Sequence, residues 1–140
     1  MVHIDEHSDL WSNPYDLPTR SPDISENEYL QSVAVFVNEK CNVGNYIEPA
    51  IRSGVVGEVI RIEGEEQIRS NLTRQVGKNS ILNLDLDFFS PDLSDIPFEL
   101  KKQVIYHFLP QVSLVTIATS PFFIDQTEAL RVLHELFPGS

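Results

Sequence analysis

Ile81-Leu82-Asn83-Leu84-Asp85-Leu86-Asp87-Phe88-Phe89 is the stretch that decides the fold class. Ser80 to Asp87 is a nearly continuous apolar run broken by Asn83 and Asp85. That pattern predicts a strand covered on both faces in a parallel sheet. Downstream, Ser94-Asp95-Ile96-Pro97 introduces a helix over about 98–108, and Leu114 to Thr119 reads as another buried-type strand. Asp125-Gln126-Thr127-Glu128 then caps a last helix running to about Leu136. Upstream, the β-branched stretch Val55 to Ile62 predicts a strand, and Glu65 to Arg74 a helix. Ser25-Glu26-Asn27-Glu28 has capping-box spacing, and Leu30, Val33, Phe36 and Val37 recur on one face of a helix ending near Lys40. A shorter helix is expected from Tyr46 to Arg52, stopped by Gly54. Leu10 to Asp23, with three prolines, is a loop, and Val2 to Ile4 ends a short strand that delivers Asp5 to that loop. Strands alternating with helices imply an α/β fold, a three-layer α/β/α arrangement on a mainly parallel sheet. Ligands in such sheets bind beyond the carboxyl ends of the strands, where Asp5, Asp85 and Asp87 fall.

The chain of 140 residues is expected to form one domain, 1–140, with room for a real core. Its net charge of -11 disfavours nucleic acid and anionic membrane as partners and favours a cationic substrate. Cys41 is alone, so no intrachain disulfide can form, which suits a reducing cytoplasm. It reads either as a small, partly buried residue or as a nucleophile. No apolar run reaches transmembrane length, and the N-terminus lacks the basic and apolar regions of a signal peptide. A cytoplasmic protein is therefore expected, in which the sequon Asn71-Leu72-Thr73 has no role.

Two acidic motifs carry chemistry. Asp5, His7 and Asp9 alternate after the apolar Val2-His3-Ile4, and Asp85 and Asp87 alternate after Ile81 to Leu84. Either motif by itself has an ordinary alternative, a turn or a solvated acidic patch. Carboxylates beside apolar strand ends are costly to bury unless paired or bound to a cation, so the two motifs together point to one shared cation site. An oxygen-rich site with one imidazole suits manganese or magnesium better than structural zinc.

Val-His-Ile-Asp-Glu-His-Ser-Asp resembles the Asp-x-His-x-Asp motif of arginases and related ureohydrolases. Asn-Leu-Asp-Leu-Asp-Phe-Phe-Ser-Pro is similar to their second motif, Asp-x-Asp followed by proline. Within that superfamily, Ile-Asp-Glu-His-Ser-Asp-Leu-Trp and Leu-Asp-Leu-Asp-Phe-Phe look most like the small peptide arginases. The resemblance implies a compact arginase-like variant of the fold with two manganese ions. It also implies hydrolysis of arginine side chains in a ribosomally made precursor peptide, giving ornithine and urea. Carried over by position, Asp5 and Asp85 would bridge the ions, His7 and Asp87 would complete one, and Asp9 would bind the other. The family pattern takes a further histidine from an earlier segment, and here Met1 stands just before the motif. His3 is the nearby candidate, with packing inside the strand as its alternative.

Asn42-Val43-Gly44-Asn45-Tyr46-Ile47-Glu48-Pro49 is similar to the substrate loop Gly-Asn-x-His-Gly-x-Pro at Gly44, Asn45 and Pro49, but carries no histidine. Asn45 is then expected to bind substrate and Glu48 to pair with guanidinium and share in catalysis with Asp5, His7 and Asp85. A turn and an exposed helix carboxylate are the alternatives. The guanidinium-binding glutamate of arginases falls at Ala118 when aligned on Pro121, which leaves Ser120 or Asp125 to substitute, Asp125 being more simply a helix cap. Trp11 and Tyr15 either line a peptide groove or anchor the Pro-rich loop. Phe88, Phe89, Phe122 and Phe123 are read as apolar walls, and His107 and His134 as surface or packing residues. A homo-oligomer is expected to complete the cleft. Two other classes stay open: a small-amine amidohydrolase of agmatinase or deacetylase type, and an inactive, metal-stabilised peptide-binding module.

Overall fold

Val2–Ile4 (β1), Ile60–Ile62 (β2), Ile81–Asp85 (β3) and Leu114–Ala118 (β4) form one all-parallel sheet in the order β2-β1-β3-β4. The structure, a computed structural model, describes residues 1–139. Five α-helices accompany the sheet: α1 (Glu26–Lys40), α2 (Ile47–Arg52), α3 (Glu65–Asn71), α4 (Phe98–Phe108) and α5 (Gln126–Leu136). The α/β class and the parallel sheet expected from the sequence are both present, and the element order is compatible with a three-layer arrangement. The chain forms two compact units, one of Met1–Glu6 with the chain from Val59 onward, the other of His7–Glu58.

In the first unit, register and alternation sort the side chains. Val2 pairs with Ile60 and Leu82, and Ile4 with Ile62 and Leu84, so these six share one face of the sheet. All six are buried, in one cluster with Ile68 of α3, Val104, Ile105 and Phe108 of α4, and Ala129, Val132 and Leu136 of α5. The opposite face carries the row Arg61, His3, Asn83 and Thr116. β3 therefore alternates between buried and half-buried residues and is not apolar on both faces. The interruptions at Asn83 and Asp85 mark that second face.

Other boundaries shift for local reasons. The predicted strand from Val55 shortens to Ile60–Ile62, because Gly54 takes a left-handed φ of 75° and the chain turns through the following residues. β4 lies at the edge of the sheet, so its residues are partly or largely exposed where a buried strand was expected, Leu114 at 51%. No helix among the described residues is long and apolar enough to cross a membrane.

α4 shows how one unexpected residue fits a helix stripe. Its buried positions are Lys101, Val104, Ile105 and Phe108, the i, i+3, i+4, i+7 face of an amphipathic helix. Lys101 Nζ donates to the Leu93 carbonyl at 2.8 Å and sits 5.5 Å from the ring centroids of both Phe88 and Phe89. Burial pushes its pKa down, opposed by the nearby charges of Asp95 and Glu6. Lys101 thus ties α4 to the segment that follows β3. Lys101→Ala should cost about 2–4 kcal/mol through the cavity and the orphaned carbonyl, and Lys101→Met clearly less, since the apolar stem is kept. Urea denaturation of both variants checks the order.

In the second unit, Ser25 caps α1 as predicted: its hydroxyl accepts the Glu28 N–H at 3.3 Å, and its own N–H donates to Glu28 Oε2 at 2.8 Å. These bonds from Ser25 hold the Glu28 carboxyl below its usual pKa. The predicted apolar face is only partly covered: Phe36 is buried and Val33 half-buried, but Leu30 and Val37 are exposed.

Asn13, which the sequence offers only as a loop residue, organises this unit. It is fully buried; its Nδ2 donates to the Lys40 carbonyl at 2.9 Å, its Oδ1 accepts the Tyr15 N–H at 3.1 Å, and its N–H donates to Glu48. Trp11 N–H donates to Gly44 O at 2.8 Å, and a Cβ on Gly44 would meet the Trp11 ring at 2.9 Å. The bond and the close approach both favour the anchoring alternative for the Pro-rich loop. Asn13→Ala should destabilise by about 1–3 kcal/mol, since the Lys40 carbonyl and the Tyr15 N–H lose their partner together. A fall in the denaturation midpoint, or accelerated proteolysis between Leu10 and Asp23, reports that loss.

Candidate metal centre

The carboxyl ends of β1 and β3 bring two acidic segments together within the first unit. Asp5 follows Ile4, and its N–H donates to the Ile62 carbonyl at 3.2 Å, extending the pairing with β2 by one residue. β3 ends at Asp85, and Leu86–Phe89 winds into a 3-10 turn that carries Asp87. Asp85 accepts the Asp87 N–H at 3.5 Å across the start of that turn. Asp87 Oδ1 accepts the Glu6 N–H at 3.4 Å, and Glu6 Oε2 accepts the Ser90 hydroxyl at 2.8 Å. The loop after β1 is thereby bonded to the turn after β3.

Asp5 and Asp87 are each 1% exposed, and their carboxylate oxygens come within 4.8 Å of one another. His3 is fully buried beside Asp5, its Nε2 3.3 Å from Asp5 Oδ2. Buried carboxylates beside an imidazole are donors that suit a divalent cation. The residues present therefore fit a metal. Among the described residues, two groups of histidine and aspartate side chains could hold an ion, and Asp5 belongs to both.

The loop after β4 completes this end of the sheet. Ser120 donates its hydroxyl to Asp85 Oδ1 and takes a left-handed φ of 43°. Non-glycine residues adopt that conformation rarely, and it costs about 1–2 kcal/mol. The turn is closed by Phe123 and Ile124, whose N–H groups donate to the Ser120 carbonyl. Ala118, in the position of the arginase glutamate, pairs with Asp85 across β3 and β4 and brings no carboxylate. Asp125 caps α5, its carboxylate accepting the N–H groups of Thr127 and Glu128.

The remaining predicted site residues, His7, Asp9, Asn45 and Glu48, belong to the second unit. His7 is half-buried, and Asp9 is buried with a left-handed φ of 50°, a conformation that aspartate tolerates better than most. Asn45 Oδ1 accepts the Asn42 N–H at 2.8 Å, which is turn chemistry. Glu48 does pair with a guanidinium, but with the chain's own: Arg52 Nη1 lies 3.2 Å from its Oε1. Burial pushes the Cys41 thiol pKa up, against a smaller effect from Asn13, which favours the packing alternative over a nucleophile.

Several other side chains confirm, differ from or extend the sequence reading. Phe88 is a core residue and Phe89 packs at a tilt against Phe98, while Phe122 is 91% exposed and Phe123 half so, so they do not form one apolar wall. His107 and His134 each donate a ring N–H to a backbone carbonyl, that of Arg74 and that of Leu130, consistent with structural roles. Asn83, read from the sequence only as an interruption of the apolar run, contacts His3 and Thr116. Its polarity inside an apolar strand was the available signal. Scans against family models, curated proteins and solved structures return no match for this chain.

Proposed function

We propose that the chain is a manganese-dependent peptide arginase: an arginine side chain and water give ornithine and urea. The observation that carries this reading is the buried approach of Asp5 and Asp87 at the carboxyl ends of adjacent parallel strands, with His3 facing Asp5. Asp5, Asp85 and Asp87 are the proposed metal-holding residues of the first unit. His7 and Asp9 are proposed as further ligands, since they follow Asp5 by two and four positions in the motif. Bound divalent ions would supply water acidified towards neutral pH and hence a hydroxide nucleophile.

The chain's own residues support the rest. Ser120 holds the Asp85 carboxylate in place, and the net charge of -11 draws a cationic side chain towards the protein. Phe122 and Phe123, on the loop just after Ser120, offer apolar surface for the flanks of a peptide. Free arginine has no such flanks, which favours the peptide as substrate.

A second reading has its own support: a metal-stabilised module without turnover. Glu48 is engaged by Arg52 and Asn13, and Ala118 stands where a guanidinium-binding carboxylate would be. One assay separates the two. Protein, manganese and an arginine-containing peptide are incubated and the peptide is weighed by mass spectrometry. Loss of a CN2H2 unit per site with matching urea supports the arginase; peptide binding with unchanged mass supports the module, and release of an acyl group or of a small amine's guanidine carbon would point to another amidohydrolase.

A further inference from the structure

We infer that Glu6 and Ser90 are positioning residues that hold the Asp87 carboxylate for the cation, acting as one clamp between the loop after β1 and the turn after β3. This rests on the reading that a divalent cation binds at Asp5 and Asp87. It goes beyond that reading, because the two acidic motifs assign Asp5, His7, Asp9, Asp85 and Asp87 and give Glu6 and Ser90 no part.

Asp87 needs support from outside its own strand. Asp85 closes β3 and keeps its place in the ladder opposite Ala118, whereas Asp87 lies beyond the strand, in the 3-10 turn Leu86–Phe89. Such turns have poorer hydrogen-bond geometry than a helix or a ladder and hold a side chain less firmly. Two backbone N–H groups reach Asp87 here: that of Glu6 donates to its carboxylate at 3.4 Å, and that of Ser90 to its carbonyl at 2.6 Å. The same two residues bond each other through their side chains, Ser90 Oγ donating to Glu6 Oε2 at 2.8 Å. Asp87, Glu6 and Ser90 thus close a ring that joins residues 84 positions apart. The ring is anchored to the sheet through Asp5, whose N–H donates to the Ile62 carbonyl at 3.2 Å.

The chemistry of the ring fixes its geometry. A hydroxyl has one proton to give: Ser90 gives it to Glu6, and its oxygen accepts the Asp92 N–H at 3.2 Å, opening the second 3-10 turn, Pro91–Leu93. Ser90 is 1% exposed, so removing the Glu6 carboxylate would strand a buried hydroxyl. An ionised carboxylate only accepts, and hydrogen bonds to a charged group are the stronger kind. Burial lowers the pKa of Lys101, and the charges of Asp95 and Glu6 oppose that effect, so the Glu6 carboxylate also has a cation nearby, itself tied to the Leu93 carbonyl at 2.8 Å. The bond from Glu6 N–H to the Asp87 carboxylate is the longest of the three in the ring and relies on the other two to keep Glu6 in place. Groups behind a metal ligand orient it, and losing one typically weakens metal binding about 10–100-fold.

The test is calorimetric manganese titration of the full chain, with urea denaturation in chelator on the same samples. Glu6→Ala is expected to bind manganese about 10-fold more weakly than wild type, and Ser90→Ala likewise, since either change removes the same bond. Glu6→Gln keeps an oxygen that accepts the Ser90 proton and should return to within about 3-fold of wild type. The double variant, Glu6→Ala with Ser90→Ala, should be no weaker than the weaker single, the mark of two residues acting through one contact. A role in the fold alone would lower the urea midpoint and leave the manganese dissociation constant of the folded protein unchanged. Should Glu6→Ala not fold, Ser90→Ala set against Glu6→Gln gives the same contrast. Wild-type affinity in either alanine variant, no recovery in Glu6→Gln, or losses that multiply in the double variant overturns the inference and leaves the metal reading standing. A wild-type protein that binds no manganese overturns both.

Discussion

Asp87→Asn should make the metal-free protein more stable and the manganese-loaded protein less so, reversing the order of the two forms. The exchange is nearly isosteric, and an asparagine Oδ1 still accepts the Glu6 N–H that Asp87 accepts at 3.4 Å. What changes is charge. Two carboxylates within 4.8 Å, each 1% exposed, repel by about 3–4 kcal/mol at an effective dielectric constant near 20. Removing one charge should recover about 1–3 kcal/mol in chelator, after the loss of favourable polar contacts is set against it. Manganese at a hundred times its dissociation constant stabilises the native wild type by about 2.7 kcal/mol, a gain the variant forgoes. Urea denaturation with chelator and again with manganese reads both signs in one experiment. Equal stabilities in chelator together with equal responses to manganese would remove the metal-site assignment for Asp87. Like-charge burial of this kind is the pattern of a functional site that the fold tolerates at a cost in stability.

The sequence carried most of the first unit and less of the second, for physical reasons visible at particular residues. β3, α4 and the cap on α5 were legible because apolar spacing and capping residues act locally. Face assignment was not. Whether Asn83 looks at the core or away from it depends on pairing with His3 and Thr116, 80 and 33 positions distant, and single-strand patterning carries no register. Lys101 was illegible for a related reason: a lysine on a helical stripe reads as solvent-exposed until the Leu93 carbonyl and two phenylalanine rings are seen around it. Asn13 looked like loop punctuation before proline, yet its side chain satisfies backbone groups from three places in the second unit. In the candidate site, Asp5, Asp85 and Asp87 followed from the rule that ligands gather at the carboxyl ends of parallel strands. Glu48 shows the converse limit: the sequence matched a guanidinium to it but could not tell a substrate from Arg52.

Asp85→Ala should abolish peptide turnover while leaving the fold intact. Asp85 is only half-buried, at the end of β3, so truncation opens no core cavity. It removes the acceptor for Ser120 and for the Asp87 N–H, and with it the carboxylate proposed to serve both ions. A bound ion contributes several kcal/mol to a hydrolytic transition state, so the loss is expected to reach about 10^3-fold or more. Ser120→Gly is the informative companion. Glycine relaxes the left-handed φ of 43°, which should raise stability by about 1 kcal/mol, yet it deletes the hydroxyl that holds Asp85. Turnover should then fall by about 10–100-fold as stability rises, the effect expected of a group that supports a metal ligand. Ornithine formation by mass spectrometry, beside urea denaturation of the same samples, measures both quantities. Asp85→Ala with wild-type rates would exclude this carboxylate from the reaction, and Ser120→Gly that is more stable and fully active would reduce Ser120 to a turn residue. Ser120 is half-buried in a strained turn, and its hydroxyl is the one group of that turn that reaches Asp85, so the two variants together test the site more severely than either does by itself.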